Sequence, residues 1–121
     1  MKVQFISLQY DDPTGNEDAT QVFQNIVLSK SYDVLCYESG HYRLRGETGD
    51  PVLYPSQVLA LVDPTIPIGW IMVEYREGDC FDVSIGPPEF LVRGFWEEVH
   101  DGDNAAMNMY RSVLKRYGLS E

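Results

Sequence analysis

The residues best equipped for chemistry fall in three short stretches. The first, "LCYESGHYR" at 35–43, holds Cys36, Glu38 and His41. A thiol, a carboxylate and an imidazole are the parts of an activated cysteine nucleophile, and Arg43 beside Cys36 would favour the thiolate. No Gly-rich elbow or oxyanion donor accompanies them, and a flat strand pair excludes water poorly. A surface Glu–His cross-strand pair with a bystander thiol explains the same residues more simply. Cys36, Glu38 and His41 are therefore an alternative catalytic set, and the leading expectation is no catalytic site.

The second stretch, "WEEVHDGDNAAM" at 96–107, gathers Glu97, Glu98, His100, Asp101 and Asp103. A calcium loop starting at Asp101 would need an oxygen ligand at 105 and a Glu at 112, where Ala105 and Ser112 stand. Zinc on a helix would want a second His four residues away, and the other His of the chain is His41. The spacing thus implies no metal site and no cofactor. Asp101-Gly102 is a turn signal, and Asp103 or Asp101 can cap the helix that follows. Trp96 is expected in the core and the two glutamates in solvent.

The third stretch is "WIMVEYREGDCFDVSI" at 70–85. A three-residue loop, Glu77-Gly78-Asp79, would place Ile71, Val73 and Tyr75 on one face with Phe81, Val83 and Ile85. Because a one-residue slip turns every side chain over, that register is expected. It sets Glu74 directly opposite Asp82, a destabilising like-charge pair. An arginine of the chain would offset it, or a partner's Lys or Arg would. Trp70, Glu74, Glu77, Asp79 and Asp82 are accordingly the candidate partner-binding residues.

The elements that position these residues follow from periodicity and turn signals. Residues 2–10 are rich in β-branched and aromatic types and read as a strand. Val22, Phe23, Ile26 and Val27 recur at helical spacing, and Thr14 with Glu17 fits a capping box, with Asn16 as a competing cap. A helix is expected at about 17–30. In the first hairpin a two-residue Ser39-Gly40 loop pairs Glu38 with His41, Tyr37 with Tyr42 and Cys36 with Arg43. Leu35, Tyr37, Tyr42 and Leu44 then point inward, and Cys36, Glu38, His41, Arg43 and Arg45 to water. "GETG" at 46–49 reads as a turn, residues 55–63 as a short helix and 86–99 as short helical turns after Pro87-Pro88. A second main helix is expected at about 104–117, with Gly118 as its stop.

The fold class is thus α+β: a mostly antiparallel sheet of about four to six strands, with the 17–30 and 104–117 helices packed on one face. The 121 residues suit a single globular domain over 1–121. No apolar run reaches the roughly 20 residues that span a bilayer, and the first residues do not read as a secretory signal. A cytoplasmic protein with reduced cysteines is expected.

Nine basic and nineteen acidic residues give a formal charge of −10, which disfavours nucleic acid and anionic membranes and favours a basic protein partner. The leading expectation is a non-enzymatic acidic binding protein, a cytosolic immunity or inhibitor type that masks a basic toxin or nuclease. The alternatives are a small enzyme using the Cys36, Glu38 and His41 face, and an oligomeric adaptor subunit.

Overall fold

A computed structural model describes residues 1–11 and 21–119. The chain packs as two compact units, Met1–Thr65 and Ile66–Glu121.

In the first unit five antiparallel strands pair in the order β6-β5-β4-β1-β7. They are β1 (Lys2–Phe5), β4 (Ser31–Glu38), β5 (His41–Arg45), β6 (Pro51–Pro55) and β7 (Leu59–Asp63). A two-residue ribbon pairs β2 (Gln9–Tyr10) with β3 (Gln21–Val22). Val3, Val34, Leu35 and Leu44 are buried almost completely. Phe5 sits within 5.1–6.0 Å, ring centre to centre, of Phe23, Tyr32 and Tyr54, at steep angles that suit aromatic quadrupoles.

The first hairpin keeps its expected register: Glu38 faces His41, Tyr37 faces Tyr42 and Cys36 faces Arg43. Ser39 and Gly40 both lie at positive φ, 48° and 85°, as a two-residue loop matched to strand twist requires. The face assignment needs correcting. Cys36 and Arg43 are buried, whereas Tyr37 and Tyr42 are only partly so. A register shift between Val34 and Cys36 breaks the simple alternation, and Val34, Leu35 and Cys36 are all buried in succession. A bulge re-aims side chains in this way.

The helix expected at about 17–30 is not formed over its described part. Residues 21–22 are strand and 23–30 are irregular; the Thr14–Glu17 capping box lies outside the described residues. Two backbone donors of this segment leave it instead of entering a helical ladder, Phe23 N–H donating to Leu8 O and Val27 N–H to Tyr32 OH, each within 2.9 Å, while Lys30 N–H closes a turn on Val27 O. Of the four residues at helical spacing only Ile26 is fully buried, and Val22 and Val27 are exposed. Residues 55–63 likewise form one 3₁₀ turn at Ser56–Val58 and then β7, which pairs with β1.

The second unit contains the hairpin β8 (Ile71–Glu77) and β9 (Cys80–Gly86), a 3₁₀ turn at Pro88–Leu91, α1 (Phe95–His100) and α2 (Asn104–Arg116). Phe90, Phe95, Trp96 and Tyr110 stack or tilt against one another at 4.8–5.9 Å, joined in burial by Val99, Ala106, Val113 and Leu114. Helix α2 begins as expected, with Asp103 Oδ2 accepting from Ala106 N–H at 2.9 Å. It ends with Gly118 at φ 69°, where Gly118 N–H donates to Lys115 O and Leu119 N–H to Leu114 O, the pair of bonds of a Schellman stop. The class is α+β as expected. The strands are more numerous, five in the first sheet and two in the second unit's hairpin, and the second helix is the short α1 in place of a helix at 17–30.

Candidate functional site

The register of the second hairpin also needs correcting. Glu77 pairs with Cys80, Arg76 with Phe81, Tyr75 with Asp82 and Glu74 with Val83. The loop is the two residues Gly78-Asp79, with Gly78 at φ 58°, and glycine at the first central position is what a type II′ turn asks for. The expected three-residue loop rested on segregating apolar from polar side chains. That drive is missing here, because every residue of β8 is exposed. Ile71, Met72, Val73, Tyr75 and Phe81 are 42–59% exposed, so no inner face selects the register and the turn chemistry decides. Glu74 and Asp82 are consequently not opposed.

The five candidate partner-binding residues nevertheless lie on or beside one hairpin. Glu74, Glu77, Asp79 and Asp82 are exposed on it, and Trp70, half-buried, precedes it. Tyr75 OH donates to Glu77 Oε2 at 2.7 Å, and that bond, with burial and the Asp82 charge adding to it, raises the phenol above its ordinary value of 10.0. The Arg76 guanidinium lies 4.8 Å from the Phe81 ring centre, a cation–π distance. By sequence, Arg76, Arg43 or Arg45 is a candidate to offset the Glu74–Asp82 pair and Phe81 is placed on an inner face; reading Gly78-Asp79 as a two-residue loop pairs Arg76 with Phe81 instead. Among the described residues the ion pairs are Lys2–Asp33, Lys30–Glu47, Arg43–Glu38 and Arg116–Glu89. None involves a carboxylate of this hairpin.

The alternative catalytic residues are placed differently. Cys36 is fully buried, and its Sγ lies 3.6 Å from Glu38 Oε2. Arg43 Nε donates to the same oxygen at 3.0 Å. Burial first, and the Glu38 charge after it, push the Cys36 thiol far up, and the lowering effect of Arg43 is outweighed. The thiol stays protonated and donates its S–H to Glu38. His41 is exposed, with Nδ1 3.2 Å from Ser39 O, and neither Cys36 nor Glu38 is its hydrogen-bond partner. The structure thus brings Cys36, Glu38 and Arg43 together and leaves the imidazole outside.

In the 96–107 stretch Trp96 is buried, Glu97 and Glu98 are exposed, and Asp103 caps α2. Among the described residues no three His, Cys, Asp or Glu side chains form a group that could hold a metal ion. An open hollow of about 480 Å³ in the first unit is lined by Val22, Phe23, Asn25, Val52 and Tyr54, among others, and none of its lining side chains is an acid, thiol or imidazole. No helix among the described residues is long and apolar enough to cross a membrane. No protein-family model, curated protein or solved structure matches the chain.

Proposed function

We propose that the protein is a non-enzymatic binding protein of the immunity or inhibitor type, which offers the β8–β9 hairpin to a basic protein, such as a toxin or nuclease, and masks its working surface. One observation carries this reading. Strand β8, exposed along its length, and the exposed loop-proximal half of β9 interleave Glu74, Glu77, Asp79 and Asp82 with Met72, Tyr75 and Phe81. Aromatic and Met side chains are enriched in interface cores. Carboxylates without a cation of their own supply long-range attraction to a positive surface and suppress wrong partners. The net charge of −10 works in the same direction and against a phosphate backbone as partner.

The test is association kinetics with a panel of small basic nucleases and toxins at several salt concentrations. At least one should bind with an on-rate that falls steeply as salt rises. The variant Glu77→Lys/Asp79→Lys/Asp82→Lys should slow that association by roughly tenfold or more. Binding indifferent both to salt and to the triple reversal would sink the proposal, as would the absence of binding across the panel.

A further inference from the structure

Strand β8 is an edge in search of a neighbour. Among the described residues it pairs only with β9. Proteins normally blunt such an edge with charged side chains, a proline, a bulge, a very short strand or a covering element; β8 does carry charges, Glu74, Arg76 and Glu77, but they are of mixed sign and can pair. β8 has seven residues, no proline and an unbroken register with β9, and its apolar side chains are exposed.

The direction of its free backbone groups can be worked out. In a two-residue hairpin the pair flanking the loop, here Glu77 and Cys80, is a hydrogen-bonded one. Ile71, Val73, Tyr75 and Glu77 therefore turn their N–H and C=O toward β9. Met72, Glu74 and Arg76 turn theirs to the open edge.

We propose that the occupant of this edge is β8 of a second copy of the chain, antiparallel, with the two-fold axis through Tyr75. An isologous pair that continues the sheet needs its axis perpendicular to the sheet, hence through a residue and not between two, because only then do opposed side chains share a face. With the axis at Glu74, that carboxylate meets its own copy; at Arg76 two guanidinium groups meet; at Val73, Glu74 meets Met72. With the axis at Tyr75, Glu74 lies opposite Arg76 of the second copy, and Arg76 opposite Glu74. Both charged positions are satisfied twice over, on residues whose backbone groups already point outward. Opposite-charge pairs directly across a ladder are stabilising, and like-charge pairs are not.

The dimer would carry the sheet from one copy to the other through a continuous β9-β8-β8-β9 run. Glu77, Asp79 and Asp82 of each copy stay available on it, so the charge offered to a third party is doubled. The inference shares Glu74 with the functional reading above but does not rest on it, since it turns on the Glu74–Arg76 pairing and the backbone edge and needs no basic partner.

Sedimentation equilibrium across the micromolar range tests it, with the wild type, Glu74→Arg, Arg76→Glu and the double reversal Glu74→Arg/Arg76→Glu. The wild type should be a dimer. Each single reversal should weaken it by roughly tenfold or more, and the double reversal should restore it. A second measurement does not depend on those variants. In a Cys80→Ser background, Tyr75→Cys should form an intermolecular disulfide on mild oxidation, because the axis places position 75 against itself at about 4.5 Å between Cα atoms, within disulfide reach. Val73→Cys should not. A wild type monomeric throughout overturns the proposal and leaves the edge to a strand of another polypeptide. A dimer that ignores the single reversals, or that cross-links at 73 in preference to 75, overturns the register and with it the proposal.

Discussion

The β4–β5 and β8–β9 hairpins both close on two-residue loops, and each carries one cysteine, yet they behave as opposite kinds of object. In the first, Ser39-Gly40 sets a register that burial then endorses. Val34, Leu35, Cys36, Arg43 and Leu44 are buried, and the one buried guanidinium is matched to Glu38. In the second, the Gly78-Asp79 turn sets the register with no burial of β8 to help it. Apolar and charged side chains share both faces, because neither face of β8 is withdrawn from water. Turn chemistry is therefore sufficient to fix strand pairing. Burial is what converts a paired strand into a core element, and β8 is paired without being buried.

The largest expected contrast is in thiol accessibility. Iodoacetamide should label Cys80, which is exposed, at the rate of a free thiol, and Cys36, which is buried with its pKa pushed up, roughly a thousandfold more slowly or only on unfolding. Mass mapping of the labelled chain over time reads both rates. Equal rates would remove the distinction between the hairpins and revive Cys36 as an accessible nucleophile.

Next in size is the cost of truncating one apolar side chain on each hairpin. Leu44→Ala deletes a side chain that is 0% exposed and should cost about 2–5 kcal/mol. Val73→Ala, at 43% exposure, should stay within about 0.5 kcal/mol. Urea unfolding curves compare them directly. A costly Val73→Ala would mean that β8 is packed against something, and it should become costly in just those conditions where the second copy binds.

The smallest effect concerns the loop that follows β5. Glu47 accepts from Lys30 Nζ at 2.7 Å and from Tyr32 OH at 2.7 Å, and these bonds, Lys30 first, hold its carboxyl below the ordinary 4.5. A depressed folded-state pKa contributes stability that is complete above the unfolded value and is lost as pH falls through the folded one. The melting temperature of the wild type should therefore exceed that of Glu47→Gln at neutral pH, and the two curves should converge as pH drops below 4.5. Lys30 is raised above 10.5 chiefly by the same bond, so its share is present below that value and lost as pH rises through it. A difference independent of pH would show that the carboxylate charge is irrelevant to the loop.

Several features were legible because local chemistry and burial agree. The α2 helix carries its cap at Asp103, its stop at Gly118 and an apolar face in which Tyr110, Val113 and Leu114 are buried and Met107 and Tyr117 half-buried. The first hairpin's pairing needed only Ser39-Gly40. The "HDGDN" turn needed only Gly102 and an acid before a helix. The 17–30 segment misled because Val22, Phe23, Ile26 and Val27 satisfy a helical period by coincidence. Its Phe23 and Val27 N–H groups are taken by Leu8 O and Tyr32 OH, and no local pattern encodes that. Nor does a strand's alternation say whether one face or both will be covered, which is why Cys36 and Arg43 were assigned to water. The five candidate partner-binding residues lie on or beside one hairpin, but its register differs from the one expected.

The amino-acid sequence by itself determined the α+β composition, the turn positions, the α2 helix with its two ends and the acidic excess, since each depends on residues within a few places of one another or on a simple sum. Tertiary structure alone decided which faces are covered, that Phe23 and Val27 hand their N–H groups to Leu8 and Tyr32, and that, among the described residues, β8 keeps one edge and both faces open. The physical reason is that burial and donor pairing are settled between residues far apart in the chain, so a local pattern supplies the possibility of an element and packing supplies its use.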